Sequence, residues 1–221
     1  MGTAIGQILG VAVGVAISPI PIIATILMLF SNRAKSNSVA FLVGWIFGLV
    51  AVATVILRVG FEGSDGTSDV TGWIKAAIGV VFLLLAVKQW RDRPREGEEP
   101  PMPTWMASID GFTAVKSFGL AALLSGVNPK NLGLTIAAAS SIGAAGLTGS
   151  EEAVVVAVYV LIASCTLMVP VIGYLVAGDR MRPALDAMKA WLLANDATVM
   201  SVLFVVLGAK LLGDGISVLA S

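Results

Sequence analysis

Asn128-Pro129-Lys130-Asn131 lies inside an apolar stretch spanning 116–147, and Ser18-Pro19-Ile20-Pro21 lies inside another spanning 3–31. A proline within a helix removes one N–H and clashes with the carbonyl four residues back. Preceded by Ser or Asn it also opens a new half-helix, with that residue as N-cap and the proline at the first position. Pro19 and Pro129 are about 110 residues apart, half the length of the 221-residue chain. The matched breaks make the two halves read as copies of one three-helix unit. Three spans is an odd number, so the second copy must be inverted relative to the first. Inverted repeats with broken helices in matching positions are a transporter signature.

Composition agrees with a membrane setting. Hydrophobic residues make up 57% of the chain and charged residues 13%, where a soluble domain carries roughly a quarter charged. Mean hydropathy is +0.93. Six apolar blocks are predicted to be helices at about 3–31, 36–59, 72–90, 116–147, 153–177 and 197–219. The expected fold is therefore an all-α membrane protein of six transmembrane helices in two inverted three-helix repeats, with helices 1 and 4 broken at proline. Residues 1–90 form the first repeat, 91–115 a cytoplasmic linker rich in proline and charge, and 116–221 the second repeat. The first block lacks a basic leader and continues apolar past Pro21, so it reads as a span rather than a cleavable signal.

Lys and Arg placement sets the expected orientation. Arg33, Lys35, Lys88, Arg91, Arg93, Arg95, Lys116, Arg180, Arg182 and Lys189 fall on one side, against Arg58, Lys75 and Lys210 on the other. Both termini are thus expected outside the cytoplasm. Trp73 and Trp90 bracket the third block about 25 Å apart, near the apolar thickness of a bilayer. In 183–194, Pro183 suits a first helical position, and Leu185, Met188, Trp191 and Leu192 share a face. This predicts a short helix lying in the cytoplasmic interface. Ser150 is the expected N-cap of the fifth helix.

Whole classes of chemistry are excluded. The chain has no histidine and a single cysteine, Cys165, which removes imidazole bases, Ser-His-Asp triads, Cys-rich metal sites and intramolecular disulfides. With 14 basic and 14 acidic residues it is no polycation for nucleic acid. No Gly-x-x-x-x-Gly-Lys-Ser/Thr motif occurs. No metal, cofactor or catalytic residue is expected, and the chain does not read as an enzyme.

The candidate binding residues are Ser18, Pro19, Pro21, Asn128, Pro129, Lys130 and Asn131. Each half-helix would begin near mid-membrane and aim free N–H groups and a positive dipole end at the bundle centre. Lys130 adds a full charge where a lysine costs roughly 2.5–3.5 kcal/mol on insertion scales. No carboxylate lies deep in any block. The centre would accept an anionic group: a carboxylate, sulfate or phosphate. The alternative use is as a proton carrier, if desolvation lowers the lysine pKa. The competing readings are a packing kink at each proline and a lysine that snorkels to the interface. Ser140, Ser141, Tyr159, Ser164, Thr166 and Tyr174 are secondary lining candidates. Gly2, Gly6, Gly10 and Gly14 form a ridge expected to pack within the bundle, a homodimer contact being its second use; Gly44 and Gly48 make another small pair.

Ile17-Ser18-Pro19-Ile20-Pro21-Ile22-Ile23-Ala24, followed by Ile26-Leu27-Met28-Leu29-Phe30-Ser31, resembles the N-terminal signature of the peptidoglycolipid-addressing (GAP) family, which includes the sulfolipid-addressing proteins and sits within the lysine-exporter (LysE) superfamily. Gly126-Val127-Asn128-Pro129-Lys130-Asn131 resembles that superfamily's Asn-Pro-Lys motif, and Phe41-Leu42-Val43-Gly44-Trp45 is also similar to the family. The resemblance covers essentially the whole chain. It implies a secondary transporter of the bacterial inner membrane that exports an amphipathic, anionic lipid or glycolipid to the cell envelope. It carries the site roles onto Pro19, Pro21, Asn128, Pro129 and Lys130. The superfamily's amino-acid exporters usually carry glycine around the first prolines, where this chain has Ser18 and Ile20.

Two rivals stay open at this point. A small-solute exporter of the amino-acid type would show a closed polar pocket, whereas a lipid carrier would show a lateral gap between helices. A non-transporting accessory protein would work with lipid-biosynthesis or export partners.

Overall fold

A computed structural model describes residues 1–59, 69–93 and 104–220. They form eight α-helices: α1 Gly2–Ala16, α2 Pro19–Phe30, α3 Ala34–Val59, α4 Asp69–Arg91, α5 Ala114–Gly126, α6 Pro129–Gly143, α7 Gly149–Ala177 and α8 Arg182–Leu219. There is no strand among the described residues. Each of the six apolar blocks is helical, and the first and fourth are each interrupted at the expected proline. The predicted loop 60–68 and the proline-rich part of the linker, including Pro94, Pro100, Pro101 and Pro103, lie outside the described residues. Among the described residues, α3 and the run Gly149–Leu219 are long and apolar enough to cross a membrane. The α1–α2 pair passes the same test as one span bent by 55°.

The interruptions follow from the chemistry of proline. The residue before a proline is pushed out of the helical region. Ser18 (φ −122°, ψ 96°) and Asn128 (φ −59°, ψ 122°) are both extended there. Each proline then takes the first position of the next helix, where its missing N–H costs nothing.

The helices group into two compact units, and each takes helices from both sequence halves. The first holds α1, α2, α3, α5, α6, α7 and α8 as far as Leu193. Trp45, Phe41 and Leu49 of α3, Ile23, Ile26 and Leu29 of α2, and Tyr159 and Leu167 of α7 are among its fully buried side chains. Nine of the 12 residues of α2 are buried, so this half-length helix is enclosed by protein, the condition under which a broken span is tolerated at membrane depth. Gly44 and Gly48 bring α3 against α5: a methyl group at either would overlap the Phe118 backbone or the Ser125 hydroxyl.

The second unit pairs α4 with α8 from Ala194 onward. Gly72, Gly79 and Ala86 recur every seven residues on α4, and Ser201, Gly208 and Gly215 do so on α8. Antiparallel packing matches the two series. A methyl group at Gly79 would sit 2.6 Å from the Leu212 nitrogen and 2.8 Å from the Gly208 carbonyl oxygen; one at Gly215 would sit 2.6 Å from the Ala76 nitrogen. Ser201 Oγ donates to the Ala86 carbonyl at 2.9 Å. Small residues at this spacing let the backbones touch along a seam.

Four expectations need correction. The segment 183–194 is helical but is no separate element. It continues into α8, because nothing between Leu192 and Ala197 is a proline or glycine that would stop it. Its apolar face is realised only in part, with Leu185 and Leu192 buried and Trp191 56% exposed. The N-terminal glycine ridge does not pack within the bundle: added methyl groups at Gly2, Gly6 and Gly10 would meet nothing within 4 Å, and only Gly14 is close, at 3.3 Å from Leu134. Ser150 is not the cap of α7. The helix starts one residue earlier at Gly149, and Thr148 forms a capping box in which the Glu151 carboxylate accepts from the Thr148 N–H (3.1 Å) and hydroxyl (2.9 Å). Ser18, finally, does not cap α2 with its side chain.

Overpacking a seam where backbones touch costs about 1–3 kcal/mol or more. Gly79→Leu is therefore expected to lower the thermal unfolding midpoint of the detergent-solubilised protein by several degrees, while Gly10→Leu leaves it unchanged. Equal midpoints for the two variants would contradict the α4–α8 seam.

Candidate functional site

The prolines that break the first span also strip acceptors of their donors. In a continuous helix the N–H of residue 19 would bond the carbonyl of 15, and that of 21 the carbonyl of 17. Pro19 and Pro21 have none to give. Leaving such a carbonyl buried and unpaired costs about 1–3 kcal/mol, and side chains supply the missing donors here. The Ser18 hydroxyl lies 2.7 Å from Val15 O. The Lys130 ammonium donates to Ile17 O at 2.7 Å. Between them Ala16 O, which already accepts from the Ser18 N–H at 2.9 Å, also accepts from Thr166 of α7 at 2.7 Å.

The second break is arranged in parallel. Asn128 caps α6 by accepting from the Lys130 backbone N–H at 3.1 Å, and Asn131 Nδ2 donates to Leu124 O at 3.0 Å. The two breaks then join. Lys130 Nζ donates to Ser18 Oγ at 3.0 Å, and the Ser18 hydroxyl lies 3.2 Å from Asn131 Oδ1. Ser18 is freed for this because its side chain is not spent on the cap of α2. Thr135, one turn beyond Asn131, donates to the Asn131 carbonyl at 2.7 Å and meets Tyr159 Oη at 2.9 Å.

Six of the seven predicted site residues thus form one cluster or stand next to it: Ser18, Pro19, Pro21, Asn128, Lys130 and Asn131, with Pro129 setting the start of α6. Ser18 is 3% exposed, Lys130 7% and Asn131 1%. The ammonium is enclosed by protein and does not snorkel. Two helix N-termini and one cation share this centre, and a carbonyl and a hydroxyl oxygen are among the cation's contacts. Such a set can hold the positive charge in place, or exchange one carbonyl contact for an anion.

The secondary candidates divide. Thr166 and Tyr159 belong to the network. Ser141 bonds back to the Ala137 carbonyl in its own helix at 2.9 Å. Ser164 Oγ and Trp45 Nε1 are buried without a hydrogen-bond partner, a cost the fold sustains in α7 and α3. Thr135 was not foreseen. Its position four residues after Asn131 on one helix face was the available signal.

A second feature lies between α3 and α7. These antiparallel helices bound a cavity of about 590 Å³. Ile46, Val50 and Leu57 of α3 line it with Val156, Val160 and Leu161 of α7, and Arg58 and Glu152 stand at one end. It opens on the outer surface of the helix pair, where Val50 is 38% and Leu161 57% exposed. The polar cluster is built of donors and acceptors; this groove is mostly apolar, with Thr54 on its α3 wall and the charges at its end as the polar groups.

A neutral hydrogen bond of this kind contributes about 1 kcal/mol. Thr166→Val, which keeps the shape but leaves Ala16 O without that donor, is expected to lower the unfolding midpoint by a few degrees. Thr166→Ser should restore most of the loss, and a Val variant as stable as the wild type would remove Thr166 from the network.

No curated protein and no solved structure matches the chain. The break at Ser18–Pro21 and the Asn-Pro-Lys turn both fall within residues 8–217, which match the family model described as Sap, sulfolipid-1-addressing protein, and the chain belongs to that family.

Proposed function

We propose that this chain is an inner-membrane secondary transporter that exports an amphipathic, anionic lipid or glycolipid toward the cell envelope. The observation that carries the reading is the burial of Lys130 where both helix breaks meet, bonded to Ile17 O and Ser18. A buried charge at a pair of broken spans is costly, and such residues mark substrate or ion pathways. Membership of the sulfolipid-addressing family supports a lipid as cargo. The lateral groove between α3 and α7 favours a lipid over a small solute, which would need only a closed polar pocket.

The mechanism follows from what holds Lys130. The acidic group of the cargo takes the place of Ile17 O on the ammonium, and the N–H groups of the α2 and α6 half-helices share its charge. Ile17 O then loses its donor, so one of the ties between the α1–α2 bend and α6 is released, with the Ser18 contacts left to hold the rest. Binding at the centre thereby loosens one break against the other, a differential contact that can shift a two-state equilibrium. Six spans in two inverted repeats, both termini outside the cytoplasm and a place in the lysine-exporter superfamily belong to the same proposal. Its support is that the first two spans of each half fall in one compact unit and the third span of each half in the other. A proton gradient would drive the cycle. The outward-facing Gly2, Gly6 and Gly10 suit a homodimer contact or a lipid-biosynthesis or export partner.

A strain lacking the gene, complemented with wild type or Lys130→Ala, tests the reading. Surface-extractable and whole-cell lipids are compared by mass spectrometry, with amino acids in the medium assayed alongside. The expected result is a polar lipid absent from the surface of the deletion strain, restored by wild type and reduced at least tenfold with Lys130→Ala. Full rescue by the alanine variant would remove Lys130 from the mechanism. Unchanged surface lipid with altered amino-acid efflux would replace lipid by small-solute export. Purified protein that moves no lipid in liposomes but copurifies with a lipid pump would make it an accessory.

A further inference from the structure

Beyond the polar centre, the α3–α7 groove has the dimensions and chemistry of a lipid site. The stretch from Ile46 to Arg58 rises about 18 Å, close to the depth of one leaflet, since the whole apolar core is roughly 30 Å thick. Both walls are helices apolar enough to span a membrane, so the open side of the groove faces hydrocarbon. Its volume of about 590 Å³ lies within the range of small-molecule sites. The charged end is asymmetric: Arg58 comes from α3, Glu152 from the first turn of α7. A guanidinium donates to acidic oxygens. A carboxylate accepts from hydroxyl groups. One small head group satisfies both if it carries an acid and hydroxyls together.

We infer that this groove seats one acyl chain of an anionic, hydroxyl-bearing lipid, with the acid on Arg58 and a hydroxyl on Glu152. The inference deepens the lipid-export reading and rests on it for the membrane setting. It names a site separate from Lys130 at which cargo sits with its chain between helices and its head at their ends. A second copy of the chain is a poorer occupant, because an apolar helix face offers the Arg58 guanidinium no acid and the Glu152 carboxylate no donor.

Native mass spectrometry of the purified full chain in detergent tests this, with equal amounts of phosphatidylglycerol and phosphatidylcholine of matched chains as probes. Phosphatidylglycerol carries a phosphate and free hydroxyls; phosphatidylcholine has the phosphate without a hydroxyl donor. Expected is a one-to-one adduct favouring phosphatidylglycerol at least fivefold. Arg58→Gln, which removes the partner of the phosphate common to both, should weaken the adduct with either lipid at least fivefold, and Glu152→Ala, which removes the partner of the hydroxyl, should bring the preference close to unity. Ala157→Trp, which fills the groove from an exposed position, should abolish the adduct with either lipid. Val176→Trp, on the same helix at an 84% exposed site away from the groove, should leave it intact, and unfolding midpoints verify that all variants are folded.

An adduct that survives Ala157→Trp would place the lipid elsewhere and overturn the inference. So would a preference untouched by Glu152→Ala, or an adduct untouched by Arg58→Gln. A wild-type dimer that Ala157→Trp dissociates, with no lipid bound, would make the occupant a second copy. The assay involves no transport. Loss of the adduct with normal Lys130-dependent export overturns the groove alone, and a retained adduct with no export defect in the deletion strain overturns the transporter alone.

Discussion

Everything at the centre of this protein depends on carbonyl oxygens that prolines have left without helical donors. Pro19 and Pro21 withhold the N–H groups that would have bonded residues 15 and 17. In an apolar interior water cannot take their place. The chain answers with a serine one residue before the first proline and a lysine from α6, and a threonine from α7 adds a bond to Ala16 O between them. The break in one helix is thus closed by side chains from two others. This makes the defect a junction, and the packing of α1 and α2 on α6 and α7 is arranged around it.

Lys130 is the costliest member of that junction and the one with most reach. Its backbone N–H is held by the cap of its own helix, while its ammonium crosses to the other break. One residue therefore reports on both interruptions. A neutral donor would satisfy Ile17 O more cheaply, without burying a charge.

The small residues divide the work of assembly. Gly44 and Gly48 press α3 onto α5, and the seven-residue series on α4 and α8 forms a seam in the second unit. Each is a place where two backbones approach too closely for a Cβ, so helix spacing is set by absent side chains. Between α3 and α7 a groove remains instead, with aliphatic side chains along it and Arg58 and Glu152 among its lining. Close approach and an open groove occur on the same helix α3.

The sequence by itself determined the helices, because long apolar blocks have no other way to satisfy their backbones in a membrane, and proline dictates where a helix must stop. It also marked Ser18, Asn128, Lys130 and Asn131, since polar groups are rare inside such blocks. Only the tertiary structure decided which partner each would take. Capping rules favour Ser18 as the cap of α2, yet its hydroxyl lies between Val15 O and Asn131, because an ammonium and an amide from α6 sit close enough to compete. Glycine spacing suggested that Gly2, Gly6 and Gly10 pack inward; α1 instead buries the face bearing Ala4, Ile8 and Ala12. The four-residue period identifies a stripe but not what it meets. The α4–α8 seam and the groove were invisible for the same reason: each is made by residues more than 90 positions apart, and their match exists only once the helices are side by side.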